Sequence, residues 1–280
     1  MKVFEHSDCV EITGLSDFIP EKTFECGQCF RWYVERGGVY TGVALGRVAE
    51  LRSCGGSVFI SGSLEDFEAV WRRYFDFDRN YSKIRQKLCI DDFMKKATGF
   101  GEGMRLLCQD KWESLCSFII SQNNNIPRIK TIIDSLCREF GDSLSFKGRQ
   151  YFTFPAATRL ASLDSECLSP LRCGYRAEYI IDAAKKVADG FINLDELAKG
   201  SPDNARSFLK QIRGVGNKVA DCVLLFGFHM LDAFPLDVWM KRAVALHYGP
   251  DFDSGIFSPY AGIAQQYIFH YSRAQGNKRL

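Results

Sequence analysis

The sequence predicts an α+β protein in which an N-terminal antiparallel β domain precedes a mainly helical body. Short β-branched and aromatic runs, separated by paired glycines, fill residues 1 to about 62. From Ser63 onward the apolar residues recur at helical spacing, and residues 205–230 have the pattern of a helix-hairpin-helix motif. We therefore expect a β-rich domain with flanking helices at residues 1–100 and a helical domain at residues 101–280.

The composition is that of an ordinary globular chain, with 46% hydrophobic and 25% charged residues among 280. No apolar run reaches the roughly 18 residues that cross a membrane, and the N-terminus lacks the apolar core of an export signal. The formal net charge of +2 does not by itself indicate a nucleic-acid partner. A local basic face is still compatible with that value.

The eleven cysteines indicate a reducing compartment, because their number is odd and no export signal precedes them. Cys26 and Cys29 form one C-x-x-C pair without a second pair, which argues against a zinc site and leaves a redox role open. No cysteine follows Cys222, so the C-terminal end cannot hold a four-cysteine iron–sulfur cluster. We expect an intracellular protein without metal or cofactor, located in the cytoplasm or nucleoid if the source is prokaryotic.

Glycine pairs mark the predicted hairpins of the N-terminal part. Gly37-Gly38 lies between two β-branched and aromatic runs, and Gly55-Gly56 lies between two more. The spacing of apolar residues changes at Ser63–Asp66, a stretch that resembles a capping box. Apolar residues at helical spacing follow it. Antiparallel strands up to about residue 62 and a helix after Ser63 are therefore predicted.

After residue 66 the chain is predicted to be almost wholly helical. Asp110 precedes a helix at Trp112–Ser121, polar Gln122–Asn125 interrupts it, and Pro127 lies in the first turn of the next helix. Further helices are predicted at about Arg176–Ala188, at Ala205–Ile212 after Ser201-Pro202, from Lys218, at Val238–Tyr248 and at about Pro259–Ser272.

The turn at residues 213–217 joins two predicted helices and contains Gly214 and Gly216. Glycines suit a tight turn that needs positive φ, and they let another backbone approach closely. The N–H groups at the start of the second helix, with the positive end of its dipole, favour an anion such as a DNA phosphate. The alternative is a plain helical hairpin with a glycine cap.

Lys218 opposes the dipole of the helix that it begins. The same field favours the neutral, nucleophilic amine, but about 1 kcal/mol shifts a pKa by less than about one unit. Desolvation of the amine must supply the rest of the pKa shift that makes Lys218 a nucleophile near neutral pH. Asp237 can cap the next helix. The helix that begins at Lys218 is roughly 16 Å long, and the loop after it is long enough to bring Asp237 back beside Lys218. The alternative role of Asp237 is a structural cap.

Residues 211–222, QIRGVGNKVADC, with the later aspartate of AFPLDVW, resemble the helix–hairpin–helix DNA glycosylases. The resemblance is closest to the 8-oxoguanine DNA glycosylase branch, because of CGQCFRW at 26–32, SQNNNIPRI at 121–129, LRCGYRAEYI at 171–180 and AGIAQQYIF at 261–269. These stretches extend from about residue 24 to residue 270. Each is weak alone, whereas their combination is specific.

The resemblance implies a bifunctional enzyme that excises 8-oxoguanine opposite cytosine from double-stranded DNA. Lys218 is then expected to attack C1′, expel the base and form a Schiff base with the sugar, after which β-elimination nicks the strand. Asp237, in the loop before the third helix, is expected to accept the lysine proton or to stabilise the cationic sugar. We expect the enzyme to act as a monomer.

The resemblance also assigns the contacts to the base. The backbone carbonyl of Gly27 is expected to accept a hydrogen bond from N7–H of the lesion. Cys222 and Phe269 are expected to sandwich the base, and Gln265 to bond its Watson–Crick edge. Without the resemblance, Cys222 and Phe269 are ordinary core positions of their helices.

The contacts to the rest of the DNA are implied in the same way. Asn123 is expected to fill the space that the base vacates, and Tyr175 to wedge beside the orphaned cytosine. Arg128 and Arg176 are expected to donate to that cytosine. Without the resemblance, the asparagines form a polar loop and the two arginines are solvated helix charges.

Two positions depart from the family pattern. Trp239 falls where some members carry a polar residue that contacts phosphate, and Cys29 replaces a small hydroxyl residue beside the base pocket. These departures concern phosphate contacts and fine specificity. Two other functions stay open: a non-catalytic helix–hairpin–helix DNA-binding module, and a glycosylase for a different lesion such as an alkylated base.

Overall fold

The computed structural model describes residues 1–276. Within this range one sheet has six antiparallel strands in the order β1-β2-β6-β5-β4-β3, which confirms the β-rich start. The strands are Lys2–Glu5 (β1), Cys9–Thr13 (β2), Trp32–Val34 (β3), Tyr40–Ala44 (β4), Arg47–Cys54 (β5) and Ser57–Ser61 (β6). Gly37-Gly38 lies between β3 and β4 and Gly55-Gly56 between β5 and β6, so both predicted hairpins are confirmed.

The first hydrophobic core lies against this sheet. Alternate strand residues point into it, and Ile12 and Leu51 are fully buried. Helix α1, Pro20–Phe24, ends with a ring that stacks on Trp32 with centroids 4.4 Å apart. Because α1 and β3 are both anchored in this core, both ends of the intervening segment 25–31 are fixed.

The change of period at Ser63 marks the first long helical segment, as predicted. Ser63 Oγ accepts a hydrogen bond from Asp66 N at 3.1 Å, which caps the segment. It consists of α2 (Leu64–Asp66), a π-helical stretch (Phe67–Trp71) and α3 (Arg72–Tyr74). Its aromatic residues complete the first core.

The body that follows is mainly helical. Its helices are Tyr81–Leu88 (α4), Asp92–Phe100 (α5), Lys111–Ile120 (α6), Ile126–Phe140 (α7), Ala157–Ala161 (α8), Arg176–Ala188 (α9), Leu194–Leu197 (α10), Pro202–Leu209 (α11), Asn217–Cys222 (α12), Val238–Tyr248 (α13) and Ala261–Gly276 (α14). A π-helical stretch, Val223–Gly227, continues α12, and short 3₁₀ turns lie at Ser165–Leu171 and Ser254–Phe257.

The prediction of an almost wholly helical chain after residue 66 is wrong in one place. Strands Ser143–Phe146 (β7) and Arg149–Phe152 (β8) form an antiparallel hairpin. Lys147 and Gly148 at its tip have φ of +49° and +75°, as a two-residue hairpin turn requires. A Lys-Gly pair is a weaker hairpin signal than the glycine pairs upstream, so the sequence pattern did not reveal these strands.

The first helix of the hairpin is α11, Pro202–Leu209, rather than the predicted Ala205–Ile212. Ser201 caps it, since its Oγ accepts from Asn204 N at 3.3 Å. After Leu209 the helix gives way to tight turns, in which Ile212 N donates to Leu209 O at 3.1 Å. Helices α12 and α13 begin within one residue of the predicted positions.

A second core fills the helical body. Helix α14 packs against α5 and α13, and α6 packs against α12 and its π-helical continuation. Cys26 and Phe30, from the segment between α1 and β3, also belong to this core. The segment therefore connects the sheet to the body. No helix within residues 1–276 has the length and apolar character that crossing a bilayer requires.

Candidate active site

Lys218 is the second residue of α12, after the N-cap Gly216. Its side chain is half-buried, and Nζ donates to Ser121 Oγ at 3.1 Å. The Ser121 hydroxyl donates to Phe118 O at 2.8 Å, so its oxygen keeps a lone pair for the lysine. Nζ also lies 5.5 Å from the centroid of the Phe118 ring. The amine is thus held at the C-terminal end of α6, where the helix dipole favours a cation.

Asp237 is the N-cap of α13, as predicted. Its Oδ1 accepts a hydrogen bond from Met240 N at 2.7 Å, and its side chain is half-buried. Asp237 and Lys218 line the same cavity, so the structure brings the two helix starts together. Within residues 1–276 the two groups form no direct ion pair, and each has the partner just described.

The cavity that contains both groups has a volume of about 60 Å³. Its lining includes every residue predicted for catalysis and base binding, and comprises Gly27, Phe118, Lys218, Cys222, Phe226, Pro235, Asp237, Gln265, Gln266 and Phe269. A water molecule in the liquid occupies about 30 Å³, so the cavity accommodates no more than a few waters.

Gln266 is a lining residue that the sequence reasoning missed. It is 5% exposed, Gln265 is 4% exposed, and Gln266 Nε2 donates to Gln265 Oε1 at 2.8 Å. The available signal was the pair of adjacent amides among the apolar residues of AGIAQQYIF. Phe118, Phe226 and Pro235 were also missed, because apolar lining residues have the same pattern as ordinary core.

Burial raises the pKa of the Cys222 thiol to about 11, although the neighbouring Lys218 ammonium lowers it. The thiol is therefore protonated near neutral pH and presents a soft apolar surface to the cavity. Burial likewise raises the pKa of Cys26 to about 11 and raises that of Cys29. Cys29 lies in the first core, where Sγ contacts Phe24 O at 3.7 Å, and not in the cavity lining as expected beside the base.

Gly27 lies in the cavity wall with φ of +89°, a conformation that a side chain would strain. A Cβ there would lie 3.4 Å from Phe269 Cε1. The fully buried Gln28 fixes the adjacent backbone, because its Nε2 donates to Arg105 O at 2.7 Å and its Oε1 accepts from Leu107 N at 2.8 Å. Gln28 could not be predicted from sequence, since a buried glutamine has no distinctive pattern.

The residues predicted to contact the duplex lie outside the cavity lining. Asn123 is exposed with φ of +46°, and its Nδ2 donates to the hydroxyl of Tyr175 at 3.3 Å. Tyr175 is 47% exposed. Arg128 is exposed and donates to Arg172 O at 3.1 Å. Arg176 is buried and donates to backbone carbonyls of the Asn123 loop, so it is not a solvated helix charge.

Gly214 and Gly216 have different roles in the hairpin turn. Gly214 has φ of +77°, and a Cβ there would lie 2.2 Å from the Tyr179 ring. Gly216 has φ of −99°, an extended conformation open to any residue, and its Cβ would meet no atom within 4 Å. The expectation of positive φ is therefore wrong for Gly216, which is the N-cap of α12.

We expect Gly214→Ala to lower the free energy of unfolding by about 1–3 kcal/mol, because it adds both backbone strain and a clash with Tyr179. Gly216→Ala should cost no more than about 1 kcal/mol, the difference between glycine and alanine as an N-cap. Denaturant titration of both variants measures the difference. Equal losses would contradict the assignment of these two roles.

Two family models match consecutive parts of the chain. Residues 12–115 match the N-terminal domain of 8-oxoguanine DNA glycosylase. Residues 116–254 match the HhH-GPD superfamily of base excision DNA repair proteins. The chain thus has the domains of a helix–hairpin–helix base excision repair protein.

Similar proteins indicate which family within this class the chain belongs to. The chain is 37% identical over 199 residues to the N-glycosylase/DNA lyase of Saccharomyces cerevisiae. The aligned region covers 67% of this chain and 53%, about half, of the yeast protein. MBOgg1 in complex with a low-affinity DNA ligand aligns with a TM-score of 0.94 and 44% identity, over 99% of this chain and 100% of that one. The 8-oxoguanine glycosylase/lyase of Clostridium acetobutylicum, bound to double-stranded DNA with cytosine opposite 8-oxoG, aligns with a TM-score of 0.94 and 36% identity, over 99% of both chains. The chain belongs to the 8-oxoguanine DNA glycosylase family of bifunctional N-glycosylase/DNA lyases.

Proposed function

We propose that this protein excises 8-oxoguanine paired with cytosine from double-stranded DNA and then nicks the strand at the remaining sugar. The observation that carries the proposal is the cavity, which combines Lys218 and Asp237 with Gly27, Gln265 and Phe269. A half-buried amine that shares a cavity with one carboxylate suits base expulsion through a covalent sugar intermediate. A module that only binds phosphates needs neither group.

Lys218 is the proposed nucleophile. Its neutral amine attacks C1′, the glycosidic bond breaks with its electron pair leaving on the base, and opening of the sugar ring gives a protonated Schiff base. This iminium makes a C2′ proton acidic, and β-elimination of the 3′ phosphate then cleaves the strand. The hydrogen bond from Nζ to Ser121 Oγ, at 3.1 Å, positions the amine before the attack.

Asp237 is the proposed partner of Lys218. Its carboxylate takes up the lysine proton or stabilises the positive charge that develops on the sugar as the base departs. The cap to Met240 N at 2.7 Å orients this carboxylate without help from DNA. An oriented carboxylate costs little reorganisation when the charge appears.

The proposed recognition of the base uses the one donor that 8-oxoguanine has and guanine lacks, N7–H. The carbonyl of Gly27 accepts from this donor, whereas the bare N7 of guanine would repel it. An unpaired buried polar group costs about 1–3 kcal/mol, which corresponds to roughly 5- to 150-fold discrimination. Cys222 and Phe269 sandwich the flipped base, and Gln265 bonds its Watson–Crick edge.

The proposed duplex contacts surround the cavity. Asn123 fills the space that the flipped base leaves in the duplex, and Tyr175 wedges beside the orphaned cytosine. The exposure of Tyr175 and the hydrogen bond between the two side chains support these roles. Arg128 and Arg176 donate hydrogen bonds to the exposed acceptors of the orphaned cytosine. The Gly214–Gly216 turn receives a phosphate, which the open space at Gly216 supports. Trp239, which departs from the family pattern at a phosphate-contacting position, is 43% exposed in the first turn of α13.

The enzyme is proposed to act as a monomer, with residues 1–100 and 101–280 as its two domains. Gly27 from the first part and Lys218 from the second line one cavity, so a single chain supplies the whole site. We also propose a reducing, intracellular compartment, the cytoplasm or nucleoid if the source is prokaryotic. The eleven free thiols support this assignment.

A panel of duplexes tests the proposed function. Each carries one modified base, either 8-oxoguanine or an alkylated purine, opposite each of the four normal bases. We expect single-turnover excision to be fastest for 8-oxoguanine opposite cytosine, with strand cleavage that does not require alkali treatment. Preferred excision of an alkylated base would identify a different glycosylase, and binding without cleavage of any duplex would identify a non-catalytic module.

A further inference from the structure

Gln266 places a second buried amide in the wall of the active-site cavity, next to Gln265 on α14. Its Nε2 donates to Gln265 Oε1 at 2.8 Å, so the two side chains form a pair in which one amide donates and the other accepts. Gln266 Oε1 is enclosed by protein and has no hydrogen-bond partner within residues 1–276. Because buried polar atoms are nearly always paired, this amide pair is unlike an ordinary part of a helix core.

The pairing determines which atoms of Gln265 are left for a ligand. A side-chain amide has two N–H donors on Nε2 and two acceptor lone pairs on Oε1. Gln266 uses one lone pair of Gln265 Oε1. In the described part of the chain Gln265 Nε2 donates to no other group, and it is not enclosed as Gln266 Oε1 is. Gln265 thus offers Nε2 as a donor and the second lone pair of Oε1 as an acceptor, in a fixed order.

This order matches the Watson–Crick edge of a guanine-type base, which an enzyme reads after the base leaves the duplex. The edge has an acceptor at O6 and a donor at N1–H, so Gln265 Nε2 donates to O6 while Oε1 accepts from N1–H. An adenine-type edge has the opposite order, with an amino donor at position 6 and an acceptor at N1. It would bring donor against donor and acceptor against acceptor unless the Gln265 amide turned over by 180°.

Gln266 opposes that turn. If Gln265 turned alone, its Nε2 would meet Gln266 Nε2, and two donors would face each other without an acceptor. If both amides turned, Gln266 Nε2 would move into the enclosed position that Oε1 now occupies. That position supplies no partner to Oε1, and it would then have to supply acceptors for two N–H donors. The present orientation of the pair is therefore the favoured one.

We propose that Gln266 is a positioning residue that fixes the orientation of the Gln265 amide and so selects a guanine-type over an adenine-type Watson–Crick edge. This inference rests on the proposed function and adds a second criterion to it. The carbonyl of Gly27 accepts from N7–H, which 8-oxoguanine and 8-oxoadenine share, so Gly27 does not distinguish these two lesions. The Gln265–Gln266 pair distinguishes them at the opposite side of the base.

The test compares single-turnover excision of 8-oxoguanine and of 8-oxoadenine, each opposite cytosine. Gln266→Met keeps an unbranched side chain of similar size and removes the donor. The Gln265 amide can then turn over, so the ratio of the 8-oxoguanine rate to the 8-oxoadenine rate should fall by roughly 5- to 150-fold, the range for one unpaired buried polar group. Equal slowing of both reactions, with an unchanged ratio, would overturn the proposal.

Gln266→Glu tests the orientation in the opposite sense, because an ionised carboxylate accepts hydrogen bonds and cannot donate one. Assayed at alkaline pH, where the introduced carboxyl is ionised, it should accept from Gln265 Nε2 and turn Gln265 Oε1 towards the base. The ratio of the two rates should then fall at least as far as in Gln266→Met. A ratio at or above that of the wild type would contradict the proposed order of the two amides.

Gln150→Met is the matched control. Gln150 is exposed on the β7–β8 hairpin, outside the cavity lining, and its Nε2 donates to Ser143 Oγ at 2.9 Å. Both rates should be unchanged in this variant. Borohydride trapping of Gln266→Met on a preformed abasic site, which has no base to read, should equal that of the wild type. A loss of trapping as large as the loss of excision would show that Gln266 supports the whole cavity, and would overturn the proposal.

Neutron diffraction from a crystal of the free protein gives a readout that does not depend on catalysis, because it distinguishes the nitrogen from the oxygen of each amide. We expect Gln266 Nε2 to face Gln265 Oε1. The reverse arrangement, with Gln265 Nε2 facing Gln266 Oε1, would overturn the inference even if excision were normal. In contrast, a wild type that excises neither lesion would refute the proposed function, and the amide orientation would still be measured.

Discussion

Lys218→Gln should abolish the covalent adduct that borohydride traps on a duplex containing 8-oxoguanine, and should lower excision by at least about a thousandfold. Glutamine keeps a polar N–H group in the cavity wall, although its side chain is one methylene shorter than the lysine whose Nζ lies 3.1 Å from Ser121 Oγ. It lacks the nucleophilic amine, and no Schiff base can form. The loss should therefore appear in the chemical step, with binding of the duplex retained.

Lys199→Gln is the control for loss of one positive charge. Lys199 is exposed and paired with Glu196 at 2.9 Å on the surface, outside the cavity lining. This variant should trap and excise as the wild type does. If Lys218→Gln traps as much DNA as the wild type, another amine is the nucleophile and the assignment of Lys218 is wrong.

The helix starts of the site could be predicted from sequence because caps and turns are local signals. Asp237 stands directly before an apolar run, and the glycine turn separates two apolar runs, so α12 and α13 begin close to their predicted positions. Helix length then sufficed to bring Asp237 back towards Lys218. The spacing of apolar residues did not predict the roles of Gly27 and Phe269 in the site. Those roles were predicted only from the resemblance to a known family.

The partners that complete the site could not be predicted from local patterns. Ser121 is 97 residues from Lys218, and Gln28 bonds to a backbone 77 to 79 residues away. A serine after a helix or a glutamine in a loop has the pattern of an ordinary surface residue until the fold buries it. The alternative of a solvated helix charge at Arg176 is wrong for the same reason, since the carbonyl partners of Arg176 belong to another loop.

Asp237→Asn should separate the structural role of Asp237 from its chemical role. Asparagine and aspartate are about equally good N-caps, so the variant should unfold within about 0.5 kcal/mol of the wild type. Base excision should fall by about 100- to 1,000-fold, because the neutral amide no longer stabilises the cationic sugar or accepts a proton. Denaturant titration and single-turnover excision on the same preparation measure the two effects.

The two chemical steps should respond differently to Asp237→Asn. Positive charge develops on the sugar while the base departs, whereas a preformed abasic site presents an aldehyde to Lys218 with no base to expel. Strand cleavage at an abasic site should therefore fall much less than excision of 8-oxoguanine. Asp237→Ala removes the cap to Met240 N as well, and should cost about 1 kcal/mol of stability in addition. Equal losses of excision and abasic-site cleavage in Asp237→Asn would place the carboxylate in the lysine chemistry common to both steps, and not in expulsion of the base.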